Sequence, residues 1–175
     1  MTAVRLDPKR SALILIDLMT RTVALDTAPI TAAEVVQRCA EVTAAARRAG
    51  WLVVHVRAER PGVAEQPPGG ELVDACTRQG ADVEIVKRTW GAFHGTDLDE
   101  VLRGRGIRTV VLGGIATNFG VESTGRAANE RGFHVVFLSD AMAGLHGYAH
   151  DFAVDYVFPR LGVVCTAAEL LDGLR

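Results

Sequence analysis

The feature that most constrains this chain is a series of short, mainly apolar runs, each followed by a stretch with helical spacing. Residues 12–18 precede 32–49, residues 52–56 precede a loop and then 71–79, and residues 83–87 precede 97–103. The pattern continues with 109–112 and 120–131, with 134–138 and 150–158, and with 163–165 and 167–174. A strand that alternates apolar and polar residues buries one face. A strand that is apolar throughout buries both and needs helices above and below it. Strands joined through helices in one sheet run parallel. The expected fold is therefore α/β, a three-layer α/β/α Rossmann-like domain with a mainly parallel sheet of about six strands.

Such a topology also predicts where chemistry gathers. Crossovers are right-handed and open sheets bind ligands beyond the carboxyl ends of their strands, so residues closing the apolar runs meet on one edge. Asp17 closes Ala12, Leu13, Ile14, Leu15 and Ile16, and Lys87 closes Val83, Glu84, Ile85 and Val86. A carboxylate at a poorly solvated strand end has its pKa raised by desolvation and lowered by a nearby ammonium. A lysine in such a place is costly unless a carboxylate pairs with it, and Asp17 is the obvious partner. The bland readings are a turn cap for Asp17 and a surface lysine beside Arg88 for Lys87. Found together on one edge, they favour a site.

The third piece is the stretch Gly113, Gly114, Ile115, Ala116, Thr117, Asn118, Phe119, Gly120, Val121, Glu122, Ser123, Thr124, which leads from a strand into a helix. A turn of this kind aims backbone N–H groups at whatever lies above it and suits an oxyanion or carboxylate. Its plainer use would be glycine for close packing. Gly120 stands where the surroundings call for a nucleophile. Ser123 and Thr124 lie nearby, but no histidine is placed by motif to serve as their base.

Composition narrows the remaining classes. A chain of 175 residues suits a single domain, 1–175, with a core that needs no metal or disulfide. Nineteen basic against 21 acidic residues, scattered along the chain, leave no footprint for nucleic acid. No apolar run approaches a membrane span and the first residues carry no signal core, so a cytoplasmic protein is expected. Cys39, Cys76 and Cys165 are odd in number and widely spaced in apolar surroundings, which reads as buried thiols. The turn-rich 61–70 stretch is a loop within the domain.

In their order and separation, the segments around Asp17, Lys87 and 113–124 resemble the isochorismatase-like hydrolase superfamily, which also holds nicotinamidases and related amidases. The resemblance runs from Arg5 to about Leu171. Most relatives use an Asp-Lys-Cys triad, and the cysteine's position is matched here by Gly120. The isochorismatases proper also carry glycine there, and another group shares the wording Asn-x-Gly-Val-Glu-Ser-Thr.

The resemblance implies catalytic roles at Asp17 and Lys87, with Gly120 marking the subgroup without the cysteine. It implies substrate contacts at Trp90, Phe93, Ile115, Ala116, Thr117 and Asn118, and a cis peptide at Ile115–Ala116. It also implies a small-molecule substrate and a homodimer or higher homo-oligomer. Nicotinamidases carry an Asp-x-His metal pattern after strand two. This chain has His55, Val56 and Arg57 there without a matching aspartate, so no metal and no other cofactor is expected. His94, just after the aromatic segment, is as well suited to a backbone hydrogen bond as to a substrate. Two departures bear on the substrate: Met19 replaces a glutamine of the isochorismatases, and Asn118 replaces a histidine. The expected activity is cofactor-independent hydrolysis of a small metabolite, a vinyl ether or an amide, with Asp17 as general acid or base, Lys87 tuning it, and no covalent intermediate. The alternative is a catalytically inactive small-molecule-binding or interaction protein that keeps the pocket. Gly120 and Met19 speak for it, and the retention of two costly buried charges speaks against it.

Overall fold

A computed structural model describes residues 4–174. The strands are β1 (Ser11–Ile16), β2 (Leu52–Ala58), β3 (Val83–Lys87), β4 (Thr109–Ile115), β5 (His134–Ala143) and β6 (Val163–Cys165). The helices are α1 (Thr20–Val23), α2 (Ala32–Arg48), α3 (Leu98–Gly104), α4 (Glu122–Glu130), α5 (Gly147–Phe152) and α6 (Ala167–Gly173). All six strands pair in parallel in the order β3-β2-β1-β4-β5-β6.

β1 lies at the centre, and every one of its residues is buried. Ala12, Ile14 and Ile16 face one core with residues of α3, α4 and the 153–158 segment, while Leu13 and Leu15 face the other with α2 and α6. Each large apolar side chain buried there contributes about 1.5–3 kcal/mol, which explains why the strand is apolar from Ala12 to Ile16. α2 begins at a capping box: Thr31 Oγ1 accepts from the Glu34 N–H at 3.2 Å, and the Glu34 carboxylate accepts from the Thr31 N–H at 2.9 Å. Val35, Cys39, Val42 and Ala46 then bury one face at helical spacing. Thr166 and Glu169 repeat the same box at α6.

Four elements differ from the sequence expectation. The 71–79 stretch is not a helix. It holds only a 3-10 turn, Asp74–Cys76, because its backbone is taken by the segment leaving β1: Val73 N–H donates to Leu18 O at 3.0 Å, and Leu72 bridges Met19. β5 runs five residues past the apolar stretch, through Ser139 and Asp140, after a register shift against β4. The expected 120–131 helix starts from a wider π-helical turn, Thr117–Val121, and the expected 150–158 helix passes from α5 into another, Ala153–Val157. All three cysteines are free and buried. Among the described residues, no helix is long and apolar enough to cross a membrane.

Candidate active site

The strand order reverses between β1 and β4, and the crevice that this opens at the carboxyl edge holds the site. Asp17 leaves β1 with φ of 53°, a left-handed conformation that is uncommon for any residue but glycine. Its N–H is held by Val56 O at 2.8 Å and its carbonyl by the Met19 N–H at 2.8 Å, so both neighbours pin the turn. Strain of this kind persists where the surroundings over-determine it.

Lys87, at the end of β3, is only 2% exposed. Its Nζ lies 2.7 Å from Asp17 Oδ2 and donates to Trp90 O at 2.6 Å. The other carboxylate oxygen, Oδ1, is buried without a protein partner. Burial pushes the Asp17 carboxyl above its ordinary value and outweighs the opposing pull of Lys87 and Arg21. The pair is thus close in geometry yet incomplete in hydrogen bonding.

Gly120 faces this pair. A Cβ at position 120 would come within 2.8 Å of Ile16 Cγ2, 2.9 Å of Lys87 Nζ and 3.1 Å of Asp17 Oδ2. The side-chain direction at 120 therefore points at the two charges, and glycine leaves that direction open. Gly114 has a different task. With φ of 124°, its α-carbon faces Ile16 O so closely that a Cβ would sit 2.1 Å from that oxygen. Glycine there lets β4 close against the end of β1.

The Ile115–Ala116 peptide is cis. Phe119 and Val121 donate their N–H groups to Ala116 O at 3.1 and 3.3 Å, so these two donors are already engaged within the turn. Two side chains fix the turn in place: Thr124, which the sequence offered only as a poorly placed nucleophile, and His150, which it did not single out. Thr124 Oγ1 donates to Gly120 O at 2.7 Å and accepts from the Ala92 N–H at 3.1 Å, tying the turn to the segment after Lys87. His150, buried in α5, pairs through Nδ1 with Thr117 Oγ1 at 2.8 Å. A polar residue at a core-facing helical position was the only signal of His150.

The other expected site residues separate into groups. Trp90 is 68% exposed and stacks on Phe119 with centroids 5.1 Å apart. Phe93 is buried instead, its ring against Phe133 and beneath the Arg131 guanidinium. Ile115 and Ala116 pack into the α2 side of the core. Asn118 keeps a buried, unpartnered Oδ1 close to Gly144. His94 is exposed. Met19 turns inward, where its sulfur accepts the Ala58 N–H at 3.3 Å.

Arg21 donates to the carbonyls of Ala58 and Pro67, and its own N–H donates to Gly69 O at 2.9 Å. Gln66 closes the loop by exchanging two hydrogen bonds with the Arg60 backbone. The 60–70 loop is thus fastened to the chain leaving Asp17. His55 lies fully buried and paired with Asp82 through Nε2 at 3.0 Å. Among the described residues, no group of three His, Cys, Asp or Glu is arranged to hold a metal ion.

The profile of the Isochorismatase domain matches residues 11–169. The chain belongs to the isochorismatase family. It is 37% identical to an uncharacterised isochorismatase family protein, YecD, of Escherichia coli O157:H7, across 97% of this chain and 98% of that one. An isochorismatase family protein of Burkholderia thailandensis superposes with a TM-score of 0.89 at 38% identity, covering 99% of each chain. A 70-residue stretch, 40% of this chain and 28% of its match, is 47% identical to the ureidoacrylate amidohydrolase RutB of Methylorubrum extorquens. The family assignment supports a hydrolase acting on a small molecule.

Proposed function

We propose that this isochorismatase-family protein hydrolyses a small metabolite by proton transfer from Asp17, without a covalent enzyme intermediate. One observation carries the reading: the position that faces Asp17 and Lys87 is a glycine, whose missing Cβ would lie 2.9–3.1 Å from both charges. A bond or a water molecule can approach the carboxyl where a nucleophilic side chain would otherwise stand. The raised Asp17 pKa suits a group that must give up a proton and take it back near neutrality.

In vinyl-ether hydrolysis, the Asp17 carboxyl would protonate the terminal alkene carbon and leave an oxocarbenium ion, while Lys87 stabilises the aspartate that results. Water would add to the oxocarbenium carbon and return a proton to Asp17. Collapse of the hemiketal would then break the C–O bond and release a ketone and an alcohol. Trp90, exposed beside the turn, and Asn118, with its unpartnered oxygen, are the proposed substrate contacts.

Amide hydrolysis is the second reading, favoured by the local 47% identity to an amidohydrolase. There Asp17 would act first as base toward water and then as acid toward the leaving nitrogen. The deciding experiment measures pyruvate release from isochorismate and ammonia release from a panel of carbamoyl amides, by wild type and by Asp17→Asn. Pyruvate that disappears with the variant supports the vinyl-ether reading, and ammonia that does so supports the amide reading. No turnover of either class would favour a binding protein that retains the pocket.

A further inference from the structure

The amino edge of the sheet lies the length of β1, roughly 20 Å, from Asp17, and its charge differs from that of the rest of the molecule. Two adjoining hollows open there, of about 480 and 570 Å³, inside the range of about 300–1,000 Å³ usual for small-molecule sites. They share Lys9 and Ile107 in their walls. Six of the chain's 19 lysines and arginines line one hollow or the other, against one of its 21 acidic residues, Asp82, which Arg47 and His55 already hold. The whole chain is slightly acidic, so this edge is a local concentration of positive charge.

The fold sets these charges in a row. Arg10 comes just before β1, Arg108 just before β4, and His134 opens β5. The Arg108 N–H donates to Arg10 O at 2.8 Å, and the His134 N–H donates to Arg108 O at 2.9 Å. Neighbouring strands lie about 4.8 Å apart, so these basic side chains stand side by side in the first hollow, where Lys9 joins them. Like charges at that spacing repel. Among the described residues, no carboxylate lines the first hollow, and Lys9 and Arg108 have no ion pair. Asp7 comes only within 3.9 Å of Arg10, both side chains being more than half exposed. Arg103 completes the lining. Asp99 at 2.9 Å, the Arg131 carbonyl at 2.9 Å and the Phe133 ring under its guanidinium hold it in place.

Cations also gather at helix carboxyl ends, where they meet free carbonyls. That accounts for Arg103 and Arg131, at the ends of α3 and α4, which donate to the carbonyls of Arg131 and Ala127. It does not account for Lys9, Arg10 and Arg108, which precede strands.

We propose that this edge binds a small ligand carrying two or more phosphate groups, seated on Arg10, Arg103 and Arg108. A guanidinium fork meets two phosphate oxygens at once, and a chain of phosphates lets one ligand neutralise the row. The second hollow, beyond Lys9, has Trp51 and Leu52 in its wall and gives room for an organic group attached to the phosphates. Trp51 is only 5% exposed and its Nε1–H has no acceptor, which leaves one donor in that wall still to be satisfied. The site is separate from the crevice and does not rest on the hydrolase reading.

The test is calorimetric titration with inorganic pyrophosphate and with ATP, at low ionic strength and without divalent metal. Both are expected to bind at micromolar concentration. Arg108→Ala and Arg10→Ala, at exposed positions, are each expected to weaken binding by roughly tenfold or more while keeping the wild-type Tm. Arg48→Ala, exposed at the end of α2 and outside both hollows, is expected to leave it unchanged. Because pyrophosphate could also meet Lys87 in the crevice, heteronuclear NMR locates the ligand: the amides of Gly106 and Gly132, which line the first hollow, are expected to shift. ATP binding more tightly than pyrophosphate would add the second hollow to the site, and equal affinities would make the phosphates the whole of the recognition. Shifts confined to Gly113, Gly114 and Gly120 would overturn the proposal. So would no binding at millimolar pyrophosphate, or an equal loss in Arg108→Ala and Arg48→Ala, the mark of a diffuse ion atmosphere. A single-stranded oligonucleotide that binds through Arg108 more tightly than ATP would give the edge to nucleic acid and overturn it too.

Discussion

Two buried carboxylates in this molecule are built from similar parts and behave in opposite ways. Asp82 accepts hydrogen bonds from the Arg47 guanidinium, from His55 Nε2 at 3.0 Å and from the Gln79 N–H at 3.0 Å. Burial pushes its pKa up, but these bonds together outweigh burial and hold it below the ordinary carboxylate value. Asp17 has Lys87 at 2.7 Å, yet its second oxygen is unpartnered, and burial wins. The presence of a counter-charge does not separate the two. The number of donors does: a carboxylate held by three separate donor groups is kept as an anion, and one with a single ammonium partner and a bare second oxygen stays within reach of a proton. The first knits α2, β2 and the approach to β3 together, and the second faces the crevice.

That contrast can be broken from either side. Asp17→Asn keeps the shape but removes the proton donor, and kcat is expected to fall by about 10²–10⁴ on the substrate found by the hydrolysis panel. A smaller loss would place the proton donor elsewhere. Asp82→Ala should do the reverse. It leaves His55 and Arg47 without their anion and is expected to cost about 3 kcal/mol in urea unfolding, with little change in the rate per folded molecule. Gly120→Ala tests whether the pair has room to move. Its methyl group would crowd Ile16, Lys87 and Asp17, so a stability loss of about 1–3 kcal/mol together with a reduced rate is expected.

The mildest effect is the pH dependence. Burial lowers the pKa of His55, against Asp82, and of His150, against Asp151 and Asp155, below their ordinary value of 6.5. Their contribution is therefore complete above pH 6.5 and is lost as pH falls toward their folded values, because the unfolded chain takes up the protons first. Asp17, with its pKa raised, has the opposite sign: its contribution is present below 3.8 and lost as pH rises through its folded value. The unfolding free energy from urea titration should therefore fall from pH 7 to pH 5, by no more than about 1.4 kcal/mol per pH unit for each histidine, and His55→Gln should flatten the slope.

The sheet was legible because strands buried on both faces are mainly apolar, and β1, β2 and β4 announce themselves in that way. The site was legible in part for the same reason, since a charge that ends such a strand stands out, as Asp17 and Lys87 do. The features that stayed hidden depend on partners distant in sequence. The extension of β5 through Ser139 and Asp140 follows from its register against β4. The 71–79 stretch has helical spacing, but its backbone is claimed by the segment after β1. Trp90 and Phe93 look alike in sequence, three residues apart, and only packing against Phe133 and Arg131 draws one of them inside. Thr124 closes a shared wording and His150 carries no motif, and neither announces its partner, because their work is to hold the turn.

The sealed thiols have a consequence for how such a protein would fare in a cell under oxidative attack. Burial pushes Cys76 up to about 11 and Cys165 up to about 12, and raises Cys39 well above its ordinary value. At neutral pH, fewer than about one in a thousand of these groups is a thiolate, the form that peroxides, alkylating agents and soft metal ions attack. On the proposed reading, the working groups are a carboxylate and an amine, so nothing at the reacting centre can be oxidised to a sulfenate or capped by glutathione. Catalysis of this kind would continue through conditions that silence a thiol-dependent hydrolase.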